Sequence, residues 1–176
     1  MSGPARRIFP SALAALLLGA AMAAPQDFST WVRFSPHHSR FRVRLPGTPA
    51  EAYEPETETH NFEIRSGEQR YMVSWRDLPK EMLRATPEQI LEAAQNRFLE
   101  LLPGSKLVRS APAKVGEVPG LTWVLDTSPA NRRPIRMKGL AAYSEGRLFI
   151  AAFINDRYHF DEEAADRFLA TFEIIP

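Results

Sequence analysis

The chain has 176 residues, with 22 Lys and Arg against 21 Asp and Glu, 44% hydrophobic residues and no cysteine. Without cysteine there is no disulfide framework, no thiolate metal centre, no thiol nucleophile and no lipid-modified cysteine. Near-balanced charge gives no electrostatic case for nucleic acid or for a general membrane-surface binder.

The first residues carry Arg6 and Arg7, then an alanine- and leucine-rich run from Ser11 to Ala21, then Ala21-Met22-Ala23 with small residues where a signal peptidase reads. This pattern predicts a secretory signal peptide over 1–23, cleaved after Ala23. The run is too short and too alanine-rich for a good membrane span. Arg6-Arg7-Ile8-Phe9 also faintly resembles a twin-arginine export signal, and either route ends outside the cytoplasm, in the periplasm or beyond it. Removing these residues leaves 20 Lys and Arg against 21 Asp and Glu, a mature charge near −1. The remaining 24–176 has the length of a single domain that buries a core without staples, with no internal repeat, no low-complexity linker and no transmembrane span.

Trp31 to Phe34 and Arg40 to Leu45 read as the first strands, the second alternating Phe41, Val43 and Leu45 inward against Arg40, Arg42 and Arg44. Pro46-Gly47 stops it, and the acidic stretch from Thr48 to Thr59 reads as a solvated loop. His60, Phe62 and Ile64 begin a hairpin that turns at Ser66-Gly67-Glu68 into Tyr71, Val73 and Trp75. A helix follows: Thr86 as N-cap, Pro87 in the first position, Gln89 completing a capping box, and Leu91, Ala94, Phe98, Leu101 and Leu102 along one face until Pro103-Gly104. Lys106 to Ala113 and Leu121 to Asp126 are further strands, and Leu121, Trp123 and Leu125 share a face.

The end of the chain is the most regular. Ile135, Met137, Ala141 and Tyr143 follow a period of two, Ser144-Glu145-Gly146 supplies a turn, and Leu148 to Ile154 is apolar on both sides, as expected of a central strand covered on both faces. Asp161 caps a helix with Ala164, Ala165, Phe168, Leu169 and Phe172 as its apolar stripe, and a last strand follows. Eight or nine strands in hairpins with two amphipathic helices predict an α+β domain: a mostly antiparallel sheet with the helices packed on it.

Phe41-Arg42-Val43-Arg44-Leu45-Pro46-Gly47-Thr48-Pro49, Tyr71 to Pro79 ending in Asp77-Leu78-Pro79, Thr86-Pro87-Glu88 opening a helix, and Gly146-Arg147-Leu148-Phe149 before Phe168-Leu169 and Phe172 carry a resemblance. Together they look like a group of small exported bacterial proteins of unassigned function, whose fold is similar to that of PsbP, an extrinsic protein of the photosynthetic oxygen-evolving complex. The resemblance spans nearly all of the mature domain. It implies a PsbP-like α/β sandwich and, by analogy, binding or assembly rather than catalysis, and it places no functional residue on this chain.

Candidate chemistry is sparse. His37, His38, His60 and His159 show no metal-ligand spacing, no Gly-x-Ser-x-Gly elbow is present and no Gly-rich phosphate loop follows a strand, so neither a metal, a cofactor nor a catalytic residue is assigned. Two basic groups remain. Arg40, Arg42 and Arg44 read as protection of a sheet edge, whereas Arg132, Arg133, Arg136 and Lys138, running from an exposed loop into a rigid hairpin, are the expected place of partner contact. The expected function is therefore an exported, non-catalytic domain that binds a protein partner or assists assembly in the cell envelope. Two alternatives stand beside it: a carrier of a small anionic or apolar ligand, the latter in a pocket lined by Trp75, Trp123, Tyr143 and Phe153, and an enzyme without a local motif.

Overall fold

Alternating apolar and polar residues form a strand with one buried face, and a strand apolar on both faces needs cover on both. The structure, a computed structural model, describes residues 28–102, 104–128 and 133–175. The signal peptide, its cleavage after Ala23 and Arg132 lie outside the described residues. Among them are ten strands and two α-helices: β1 (Val32–Phe34), β2 (Phe41–Leu45), β3 (Ala50–Glu54), β4 (Thr59–Ser66), β5 (Gln69–Asp77), α1 (Pro87–Leu101), β6 (Ser105–Val115), β7 (Val118–Thr127), β8 (Ile135–Ser144), β9 (Arg147–Asp156), α2 (Glu162–Ala170) and β10 (Glu173–Ile174).

Seven strands make one antiparallel sheet in the order β3-β4-β5-β9-β8-β7-β6, and β1-β2-β10 make a second, smaller one. β9 sits in the middle of the large sheet and is buried on both faces. Phe149, Ala151 and Phe153 belong to one core, with Phe41, Val43, Leu45, Tyr71, Val73, Ala164, Ala165, Phe168 and Phe172. Leu148, Ala152 and Ile154 belong to the other, with Ile90, Leu91, Ala94, Phe98, Trp123, Leu125 and Met137. The first core is therefore closed by α2 and the small sheet, and the second by α1 lying over β6, β7 and β8. Burying a large apolar side chain contributes about 1.5 to 3 kcal/mol, so these two layers hold the sandwich together.

The helix signals act as their chemistry predicts. Thr86 Oγ1 accepts from Gln89 N–H and Gln89 Oε1 accepts from Thr86 N–H, and Pro87 has no N–H to leave unpaired, so two donors at the start of α1 are satisfied reciprocally. Asp161 Oδ1 likewise accepts from Ala164 N–H at 2.9 Å. The buried stripe of α1 runs through Ile90, Leu91, Ala94 and Phe98, while Leu101 is 38% exposed and Leu99 and Leu102 pack on the core at that end.

Three expectations are corrected. The acidic stretch after Pro49 contains β3, an edge strand exposed on both faces and held to β4 by backbone pairing, so no side-chain alternation marks it. The arginines of β2 protect no edge: β2 is the middle strand of the small sheet, paired with both β1 and β10, and Arg42 pairs with Glu173 of β10. Trp75, Trp123, Tyr143 and Phe153 line no common pocket: Trp123 and Tyr143 pack on the α1 side, Trp75 and Phe153 on the α2 side.

Candidate binding surface

Two of the basic residues expected at a partner contact are engaged within the fold. Arg136 Nε and Nη2 donate to both carboxylate oxygens of Asp126 on β7, at 2.7 and 2.9 Å, and Arg157 reaches the same carboxylate at 3.3 Å. This pairing holds the Asp126 carboxyl below the ordinary range. Lys138 is 7% exposed, and its ammonium donates at 2.5 Å to Glu162 and at 2.5 Å to Asp166, both on α2. Arg109 of β6 also binds Glu162. Burial pushes the Glu162 carboxyl up, but Lys138 and Arg109 together outweigh that and hold it below its usual range. An open depression of about 250 Å³ beside this network is lined by Arg109, Ala111, Thr122, Val124, Lys138 and Asp166. Its charges are balanced internally. Arg133 alone of the described three faces solvent, with a side chain 70% exposed and Glu68 at 3.6 Å.

A different surface carries a row of stacked rings. The register places Tyr53 of β3 opposite His60 of β4, and His60 opposite Trp75 of β5. The three rings form a ladder: Tyr53 and His60 lie 4.8 Å apart, and His60 stacks on Trp75 at 4.2 Å with 7° between planes. Arg147, at the start of β9, closes the ladder with its guanidinium 4.1 Å from the Trp75 ring centre. Such cross-strand pairs contribute about 0.2 to 1 kcal/mol each, and a cation over an indole about 0.5 to 1 kcal/mol when exposed. The Trp75 N–H is buried with no acceptor among the described residues, so the ring's interactions are those of its faces.

Arg147 also ties three segments together. Its Nε and Nη2 bond Asp77 at the end of β5 at 2.6 and 2.9 Å, and its Nη1 donates to the carbonyl of His38 at 2.6 Å. The His37 and His38 rings lie 3.8 Å apart at the exposed end of the β1–β2 loop. That loop holds two non-glycine residues at positive φ, His38 at 61° and Arg40 at 59°. Each is disfavoured for an L-residue and persists where the surroundings fix it. Here the buried Ser39 donates to the Pro36 carbonyl at 2.7 Å, Arg40 pairs with Glu145 at 2.6 Å, and Ile175 N–H donates to the Arg40 carbonyl at 2.9 Å. Glu145 in turn lies in the β8–β9 turn with Gly146, both at positive φ as a tight hairpin turn requires. Tyr53, His60, Trp75, Arg147, His38 and His37 thus form one continuous run at the edge of the sandwich. Tyr53 is 52% exposed although it is a large aromatic residue.

With this geometry in place, the fold can be compared with solved structures. A cyanobacterial PsbP from Synechocystis sp. PCC 6803 superposes with a TM-score of 0.59 over 88% of this chain and 98% of its own, at 10% identity. The fold is PsbP-like. A Pseudomonas aeruginosa protein of unknown function superposes with a TM-score of 0.51 over 83% of this chain and 96% of its own, at 12% identity. No family model matches the chain, and no curated protein matches its sequence significantly. Identities this low establish the architecture and leave activity to the residues themselves.

The sequence puts the His37-His38 pair in one loop and His60 in a separate hairpin, with nothing to join them. Period-two alternation could have put His60 and Trp75 on one face of their hairpin, because the turn at Gly67 fixes that register. Tyr53 and Arg147 come from strands whose pairing the sequence does not state, so the ladder becomes visible only in three dimensions.

Proposed function

We propose that the mature chain is an exported, non-catalytic domain that binds a protein partner in the cell envelope or assists assembly there, with the Tyr53-His60-Trp75-Arg147 ladder and the His37-His38 loop as its contact face. The observation that supports this most is the stacked run of rings, exposed at Tyr53, His37 and His38 and half-buried at His60 and Trp75, closed by a guanidinium. Tyr, Trp and Arg are the residues that dominate protein interfaces, because they bring area at little entropic cost. Here their positions are set before any partner arrives. Export is supported by the N-terminal pattern. The basic segment enters the proposal through Arg132 and Arg133, since contact by Arg136 or Lys138 requires breaking their pairs with Asp126, Glu162 and Asp166.

The test is capture from an envelope extract by the immobilised mature chain, comparing wild type with Tyr53→Ala/His37→Ala and with Arg132→Glu/Arg133→Glu. Tyr53, His37 and Arg133 are exposed, so the first double variant should melt near wild type, and a melt of the second checks that its fold is kept. Loss of one captured protein in the first variant supports the ladder as the contact face. Loss only in the second moves the contact to the basic loop. Undiminished capture by both refutes the proposal. Native mass spectrometry of the purified chain covers the carrier alternative, and a broad hydrolase screen covers the enzyme.

A further inference from the structure

The opposite face of the large sheet carries a polar group of another kind. Along β5 the side chains alternate, so Ser74 and Arg76 point away from Trp75, toward the α1 side. Asn61 of β4 stands directly opposite Ser74. Arg76 stands opposite Leu148 of β9, which stands opposite Tyr143 of β8. Arg76 and Tyr143 are therefore about 10 Å apart across two strand spacings, a gap their side chains shorten from both ends. The helix α1 packs chiefly on β6, β7 and β8 and leaves this half of the face beside it.

Ser74 is 5% exposed, and Asn61, Arg76 and Tyr143 are half-buried. No side-chain hydrogen bond or ion pair joins any of the four to another described residue. Arginines elsewhere on the large sheet are matched: Arg70 has Glu63, Arg136 has Asp126 and Arg147 has Asp77. Arg76 has no such carboxylate. Burial and the nearby positive charge of Arg97 on α1 both disfavour its charged state, with Glu54 acting weakly the other way. A half-buried guanidinium beside a second arginine is costly to leave unmatched.

We infer that Arg76, with Ser74, Asn61 and Tyr143, forms an oxyanion-binding site for the carboxylate or phosphate group of a small molecule, with Arg97 adding positive charge from α1. The guanidinium fork matches either oxyanion with two parallel hydrogen bonds. The two hydroxyls and the amide add donors, and the half-buried Ile150, opposite Ser74, provides an apolar floor for the remainder of the ligand. This site lies on the other face of the sheet from the ladder and is independent of it.

The experiment titrates the mature chain with inorganic phosphate, phenyl phosphate and benzoate, each against potassium chloride at matched ionic strength. It follows the arginine Nε–H resonances and the melting temperature. The inference expects saturable shifts with at least one probe, a melting temperature raised by that probe and not by chloride, and loss of both in Arg76→Gln. Phenyl phosphate and benzoate separate a phosphate ligand from a carboxylate one, and inorganic phosphate shows whether the apolar floor contributes. Because Arg76 has no hydrogen-bond or ion-pair partner among the described residues, Arg76→Gln alone should melt at or above wild type. No saturable response to any probe, a response that survives Arg76→Gln, or a fall of several degrees in the variant without ligand would each overturn the inference.

Discussion

Gly139 lies at the centre of β8, directly opposite Trp123 of β7. A Cβ added there would come within 2.7 Å of the indole Cζ2 and Nε1, and closer still to Cε2. Carbon atoms sit comfortably near 3.5 to 4.0 Å, so about 1 Å of overlap has to be absorbed. Trp123 is 1% exposed and is held from above by Phe98 of α1, with ring centres 5.7 Å apart. Moving the ring away from β8 presses it against that helix. Overpacking of this kind costs about 1 to 3 kcal/mol, and for a domain of this size each kcal/mol moves the melting temperature by roughly 2 to 4 °C. Gly139→Ala should therefore melt roughly 2 to 12 °C below wild type by circular dichroism, with the amides of α1 exchanging faster with solvent. Combining it with Trp123→Phe should recover part of the loss, because the smaller ring leaves room for the methyl group. A Gly139→Ala variant within 0.5 kcal/mol of wild type in urea unfolding would refute the argument.

Thr86→Ala should cost about 1 kcal/mol by uncapping α1 while Thr86→Ser is nearly neutral, as a pair of urea curves will show. Lys138→Met should lie within about 1 kcal/mol of wild type by the same measurement, because Glu162 and Asp166 are exposed enough to be solvated once the ammonium is gone, whereas a loss above 3 kcal/mol would mean the pairs anchor α2. Asp126 and Glu162 are both held below their ordinary pKa values, so the stability they contribute is present above the unfolded values near about 4 and is lost as pH falls through the lower folded ones. Asp126→Asn should accordingly flatten the acid limb of the stability curve, and an unchanged limb would show that Arg136 gains nothing from the carboxylate.

Much of the architecture was legible because local chemistry and packing agree. Thr86-Pro87 with Gln89 names the start of α1, Glu145-Gly146 names a tight turn, and the two apolar rows of β9 require cover on both sides. Legibility fails where an element is held by its neighbours' backbone rather than by its own side chains. β3 has no buried face to advertise itself, and the alternation in β2 reports which side chains are inward but not that partners flank it on both sides. The same reason hid the candidate surface. Arg136 and Lys138 look free in a sequence that contains enough acids to pair them but does not say that Asp126 is the cross-strand neighbour of Arg136.

The two faces of the large sheet also divide the roles that single residues can take. Toward α2, most inward positions are aromatic or aliphatic and are covered by a second sheet, so what reaches the surface there is the rim: Tyr53, His60, Trp75 and Arg147, stacked and pinned by Asp77 and the His38 carbonyl. Toward α1, one helix packs on only part of the same sheet, and the part beside it carries the half-buried Asn61 and Arg76 and the buried Ser74 on neighbouring strands. A sheet of seven strands is wider than one helix of about 10 to 12 Å can cover, at about 4.8 Å per strand. The excess width has to be polar or be covered by something other than the helix, and Leu78, Met82 and Ala85, ahead of α1, join that core as part of the cover. On the α2 side the chain supplies that cover with β1, β2 and β10; on the α1 side it supplies donors and positive charge, which suits an oxyanion better than it suits a second layer of protein.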